Sequence, residues 1–248
     1  TLSLHDALPI YDFDVTYLRS NVAFVTRRWL KCPVETRDDW RAMQKRYLRD
    51  DPVRFPDAKA IGEWEALQKE DQTVVFAFNG LFMELREWMG FEGLCTAFYD
   101  DPDMVDDMLH FYGDYVAAML TRWLPKMKPT YIHIGEDMAY KRAPMVNPQI
   151  ILKKFSPIWR RWAEIIYGAG IKSFFIDCDG YIFDLVPAFI AGGANGADPL
   201  EIAAGNDLGK LQEAYGRDMA FMGGVDKRAI AASGDTLLAE MERITPFV

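Results

Sequence analysis

The chain is poor in the residues that staple or ligate. Its 248 residues include Cys 3 and His 3. Cys32, Cys95 and Cys178 are widely spaced, odd in number and form no CxxC pair. That excludes a disulfide framework and a zinc ribbon, and it points to a reducing compartment, most simply the cytoplasm. Long apolar runs are missing too: no stretch reaches the roughly 18 residues of a membrane helix, and no basic-then-apolar leader opens the sequence. Basic charge is scarce. Lys+Arg total 28 against Asp+Glu 37, a formal net charge of −9, which argues against nucleic acid and anionic membranes as partners. A P-loop, HExxH, a GxSxG elbow and a GxGxxG in strand-to-helix order are absent as well.

What is present is an ordinary globular composition, 50% hydrophobic and 26% charged. The length suits one α/β barrel or two smaller domains. Thr1–Ile10 (TLSLHDALPI) reads as a non-native, adapter-derived tail and is set aside with His5. Residues 11–248 are expected to form a single domain, with pieces of the natural protein missing at both ends.

Periodicity up to Glu70 is mixed. Asn21–Leu30 can hold a strand, Thr36 is a plausible N-cap for a helix through Met43, and Pro52 and Pro56 mark loop. From Thr73 the pattern is regular, with expected strands at Val74–Phe78, Tyr131–Ile134, Ser173–Ile176, Ala194–Ala197 and Met219–Met222. Between them run expected helices over Leu81–Met89, Asp101 to about Trp123, Asn147 to Gly168, Ile182 to Ile190, Leu208–Tyr215 and Thr236–Ile244. Asp101-Pro102 and Asn147-Pro148 are cap-plus-proline starts, and glycines punctuate the helix ends. Strands alternating with helices imply parallel βαβ units, in a doubly wound sheet or a TIM barrel. A doubly wound sheet gathers its ligand groups at one switch point, whereas a barrel draws them from many strand ends. Nearly every strand exit here is polar or acidic, so the expected fold is an α/β TIM-type (β/α)8 barrel, incomplete through truncation.

The candidate chemistry sits at those exits. Asp177 and Asp179 alternate across one residue, so extended geometry points both to one face and Cys178 to the other. Each alone would be an ordinary cap or turn residue; together, and followed by Gly180, they suggest proton carriers or metal ligands. Glu136 and Asp137 form a second acidic pair, with Tyr140, Lys141 and Arg142 behind them; a solvated loop with a local salt bridge is the bland alternative. Asp226, Lys227 and Arg228 follow Gly223-Gly224, where a guanidinium can clamp a substrate carboxylate in bidentate fashion, or where a capped helix simply begins. Asn79-Gly80 offers an amide to a ligand or merely a turn. His133 reads as a hydrogen-bonded core residue, His110 as structural, and Phe155, Trp159 and Trp162 as core.

At these residues the chain resembles the uroporphyrinogen decarboxylase superfamily, which also contains methyltransferases that work with corrinoid proteins. The resemblance runs from about Asp12 to Val248 and is carried by Asn79–Asp107, Glu136–Asn147 and Ile176–Arg228. It implies a single barrel with an active site at its mouth. Methyltransferases of this group place His-x-Cys-Gly where this chain has Asp177-Cys178-Asp179-Gly180, and use it with a distant Cys to bind zinc and activate a thiol. Carboxylates in those places make a harder site, suited to Mg, Mn or Ca. Decarboxylases of the group need no cofactor and carry an N-terminal arginine motif that is not found here.

The expectation is therefore a superfamily enzyme acting on a small molecule, favoured as a methyltransferase with a corrinoid protein as partner. Uroporphyrinogen decarboxylation and a non-catalytic barrel that binds a ligand or a corrinoid protein are the alternatives. Asp137, Asp177 and Asp179 would be catalytic, with Asp177 and Asp179 also candidate metal ligands. Asn79, Glu136, Tyr140, Arg142, Asp226, Lys227 and Arg228 would bind substrate.

Overall fold

The computed structural model describes residues 2–3, 15–19, 25–29, 31–48, 52–55, 57–69 and 72–247. A parallel sheet runs in the order β1 (Leu2–Ser3), β4 (Val75–Asn79), β5 (Tyr131–Gly135), β6 (Phe174–Asp177), β7 (Gly196–Leu200) and β8 (Ala220–Gly223). A separate antiparallel ladder joins β2 (Val15–Arg19) to β3 (Val25–Trp29), with Val15 opposite Trp29. The strand expected within 21–30 is thus β3, and it pairs outside the main sheet; residues 21–24 and 30 lie outside the described set, as do His5 and most of the segment set aside as a tail. Leu2–Ser3 of that segment is described, and it pairs parallel with Phe76 and Ala77.

Among the described residues strand order rises steadily along the chain, without the reversal that defines a doubly wound sheet. The helices cover one face. Phe76, Ile132, Ile134, Phe174 and Ile176 are essentially inaccessible, while the alternate residues Ala77, His133, Phe175 and Asp177 are half-buried. Phe76 stacks on Trp123 of α5 (Pro102–Trp123), and Phe78 meets Trp162 of α7 (Ser156–Gly168) edge-on. Sequence periodicity located these elements well. The helix α3 (Leu81–Met89), α5 and α9 (Leu208–Tyr215) carry the expected bounds. Thr36 caps α1 (Arg37–Gln44) in a reciprocal capping box with Asp39.

Three of the expected elements differ in their bounds. The helix expected from Asn147 to Gly168 contains a π turn over Ile151–Phe155 between α6 (Pro148–Ile150) and α7. Pro157 has no N–H for the Lys153 carbonyl, and the widened turn before it lets the Ser156 N–H reach the Ile151 carbonyl. The expected start at Ile182 moves to α8 (Val186–Ala191), because buried Asn206 holds the preceding loop through the Ile182 N–H and the Gly180 carbonyl. β7 begins two residues late, since Asn195 turns its amide onto Lys172 and Phe174. A short helix, α10 (Lys227–Ala232), precedes α11 (Gly234–Ile244). Among the described residues no helix is long and apolar enough to cross a membrane.

Candidate functional site

The carboxyl ends of β4 to β8 open on one edge of the sheet, and the polar residues there fall into separate groups. At the rim, a groove of about 390 Å³ is lined by Tyr140, Lys141, Asp179, Glu201, Lys227 and Arg228, among others. Gly180 forms its floor at φ +91°, and a Cβ there would meet the Tyr140 carbonyl oxygen at 2.8 Å. Only glycine combines that conformation with so close a backbone approach. Glu201 ties the rim together: one oxygen accepts from the Gly180 N–H at 2.9 Å and the other from Lys227 Nζ at 2.5 Å. Arg228 bonds back onto Asp226, which also caps α10 through the Arg228 N–H. The side-chain bond from Arg228 pulls the Asp226 carboxyl down to about 2. The fork expected to hold a substrate carboxylate is thus engaged within its own chain, and the capped-helix reading of this segment is the observed one.

Inside the rim the acidic residues crowd. Asp137 adopts φ +41°. Its Oδ1 accepts from the Asp179 N–H at 3.3 Å, and its Oδ2 lies 3.6 Å from Arg86 Nη2. Asp177 ends β6, and burial drives its carboxyl up to about 6; His133 opposes the rise, while Asp137, Asp198 and Asp179 add to it. Asp179 is raised as well, by burial and then by Asp137 and Glu201. Both aspartates of the DCDG turn therefore belong to one electrostatic group.

Beside Asp177 sits a contact that links residues far apart in sequence. His133 Nε2 lies 3.0 and 2.9 Å from the two oxygens of Asp198. His133 is hydrogen-bonded, as expected, but it stands on the half-buried face of the sheet rather than in the helix-covered core. The YIHI alternation places His133 opposite in facing to Ile132 and Ile134; its partner was beyond reach, 65 residues away on β7. Glu201 and Asn206 were missed for the same reason.

Other expected site residues serve the scaffold. Glu136 is fully buried, and its oxygens accept from the Leu81 and Phe82 N–H groups at 2.8 and 2.6 Å and from Trp159 Nε1 at 2.8 Å. It caps α3 in place of a side chain on Gly80, so the substrate role expected for it is corrected. Burial raises its carboxyl to about 7 in spite of those bonds. Asn79 donates to Glu84 at 2.9 Å in the first turn of α3. Tyr140 is 72% exposed at the rim, and Arg142 is exposed and does not line the groove.

The zinc-thiolate centre implied by the resemblance does not fit these residues. Cys178 is fully buried, and that burial raises its thiol far above the ordinary range; its Sγ lies 3.6 Å from the Asp179 carbonyl. Asp177 and Asp179 find no further ligand: among the described residues no group of three or more His, Cys, Asp or Glu is placed to hold a metal ion.

Fold and site together define an α/β protein whose titratable groups gather at the carboxyl ends of parallel strands. No protein-family model matches the chain, and no curated protein does either.

Proposed function

We propose that the chain is a singly wound (β/α) barrel of the uroporphyrinogen decarboxylase superfamily and that it acts as an enzyme on a small molecule at the carboxyl ends of its strands. Steady strand order and one-sided helix cover support the barrel, since a doubly wound sheet would be covered on both faces. What supports the enzymatic reading is the place of Asp177, at the carboxyl end of β6 beside Asp137, Asp179 and Asp198, where burial pushes its carboxyl up to about 6. Such a group can protonate a leaving heteroatom near neutral pH.

Methyl transfer is the branch favoured. A methyl carbon bound to oxygen or nitrogen leaves that atom more readily once the atom is protonated, and Asp177 supplies the proton. A corrinoid protein would accept the methyl group. Lys227 and Arg228 are already paired with Glu201 and Asp226, so the mouth presents little positive potential to a polycarboxylate such as uroporphyrinogen. A neutral or cationic methyl donor meets no such barrier.

The test is turnover by the purified protein of methyl ethers and methylamines with a corrinoid acceptor, alongside uroporphyrinogen. Methyl transfer that falls about 100-fold or more in Asp177→Asn is the expected result. Decarboxylation of uroporphyrinogen alone would overturn the methyl-transfer branch. Binding of a corrinoid protein with no turnover of any substrate would overturn the enzymatic reading.

A further inference from the structure

Three of the described strands contain a glycine: Gly135 on β5, Gly196 on β7 and Gly223 on β8. Glycine is a poor choice in a strand, because it loses the most freedom on folding and brings no side chain to pack. Neighbours explain two of them. A Cβ on Gly196 would meet Phe175 Cζ at 2.4 Å, and one on Gly223, at φ +113°, would meet the Leu200 backbone nitrogen at 2.8 Å. Gly135 has neither reason. Its φ lies outside the positive range, and a Cβ there would meet no atom of the described residues within 4 Å. Nor does it mark a bulge, since its pairing with Asn79 on β4 and Asp177 on β6 runs in unbroken register. Its carbonyl accepts from the Gly80 N–H at 2.7 Å, a bond any residue could make. The reason left for a strand glycine is the close approach of a ligand.

The sheet register fixes what surrounds that space. Asn79, Gly135, Asp177 and Asp198 stand side by side on β4 to β7. Neighbouring strands lie about 4.8 Å apart, so the backbones at Asn79 and Asp177 are about 10 Å apart across the glycine. Asn79 is held at one wall by its 2.9 Å bond to Glu84. His133, two residues before Gly135 and on the same face, is tied to Asp198. Asp137, two residues after it, turns at φ +41° and accepts from the Asp179 N–H. The gap is framed by side chains already held in place, and it has room for one compact group.

We propose that Gly135 is the specificity-determining residue of this site. The space left between Asn79 and Asp177 seats the methyl-bearing head of the substrate, and the bare glycine backbone sets how large that head can be. The inference rests on the reading above in one respect, that Asp177 meets substrate. The substrate class it defines is a donor with a small, unbranched-to-trimethyl head, a methoxy group or a methylated amine, that can lie flat against the strand beside the carboxyl.

The experiment follows the backbone amides of the isotope-labelled full chain by NMR while methylamine, trimethylamine or methoxybenzene is added. At least one of these probes should move the Gly135 amide on saturation. In Gly135→Ala that probe should bind about 10-fold or more weakly, and in Gly135→Val its binding should vanish, since a filled methyl-sized space discriminates on that scale. Thermal melts give a reading that needs no ligand. Gly135→Ala should melt at or above the wild-type temperature, because the new methyl strikes nothing and the strand loses less freedom on folding. A lower melting temperature would show that packing requires the glycine, and would overturn the proposal. So would a Gly135 amide that no probe moves, or a probe that binds Gly135→Ala as well as wild type. Turnover lost in Asp177→Asn but with an unchanged KM in Gly135→Ala sinks this inference alone. Probe binding lost in Gly135→Ala while Asp177→Asn keeps full turnover sinks the role of Asp177 and leaves the seat at Gly135 standing.

Discussion

An ideal Cβ on Gly80 would lie 2.2 Å from Glu136 Cδ, inside the contact that brings the carboxylate to the Leu81 and Phe82 amides. Backbone conformation does not demand glycine there, since φ is −75°. The demand is for room, because a methyl group would push Glu136 off the end of α3. Gly80→Ala is expected to lower stability by about 1–3 kcal/mol in urea denaturation, the usual range for overpacking. The same substitution in a Glu136→Ala background should cost clearly less, because the atom it strikes is gone. Equal costs in the two backgrounds would show that Glu136 and Gly80 are not coupled. Sequence reading saw both residues and paired neither. Glu136 looked like a rim carboxylate because it follows a strand, and nothing local reveals that its side chain turns back onto a helix start 55 residues earlier.

At the scale of the element, caps and periodicity were legible because their causes are local. Asp101 accepts from the Met104 N–H at 3.2 Å, Pro102 opens the helix, and α5 follows the expected bounds. Asp101 also pairs with Arg37 of α1, a contact 64 residues apart that no local signal announces. Asp101→Ala should therefore cost about 1–2 kcal/mol, mostly from the cap, because an exposed ion pair adds little. Asp101→Asn keeps the capping oxygen and should lose only a fraction of that, as thermal melts of the two variants would show. Elements shifted where a side chain took over the backbone. Asn206, distant in sequence, delays α8, and Pro157, inside the expected helix, imposes the π turn. The site followed the same division: Asp177 and Asp179 stand out as a pair in their spacing, whereas His133–Asp198 needed the sheet.

For the molecule as a whole, the raised groups share one sign. Asp177 at about 6, Glu136 at about 7 and the raised His133 each hold a proton more tightly in the fold than in the unfolded chain. Their contribution is full below the unfolded values and is lost as pH rises through the folded ones. Asp226, Asp39, Glu201 and Glu240 are lowered, and their contribution is lost in the opposite direction, as pH falls. Thermal stability should therefore peak in mildly acidic solution, at about pH 5, and decline toward about pH 8. Calorimetry across that range checks the slope. In Asp177→Asn the decline should be shallower, and an unchanged slope would show that Asp177 titrates as an ordinary carboxyl.

The pairing of Asp177 with Asp198 across β6 and β7 also bears on how the chain finds its fold. A slip of β7 by one residue would reverse its facing, carrying Asp198 behind the sheet against the aromatic helix layer and leaving His133 without its counter-ion. An ionised carboxylate without a partner is among the costliest things to bury in such a place. The polar cluster is thus a check on assembly: a wrongly registered sheet cannot form the His133–Asp198 contact, and its energy reports the error.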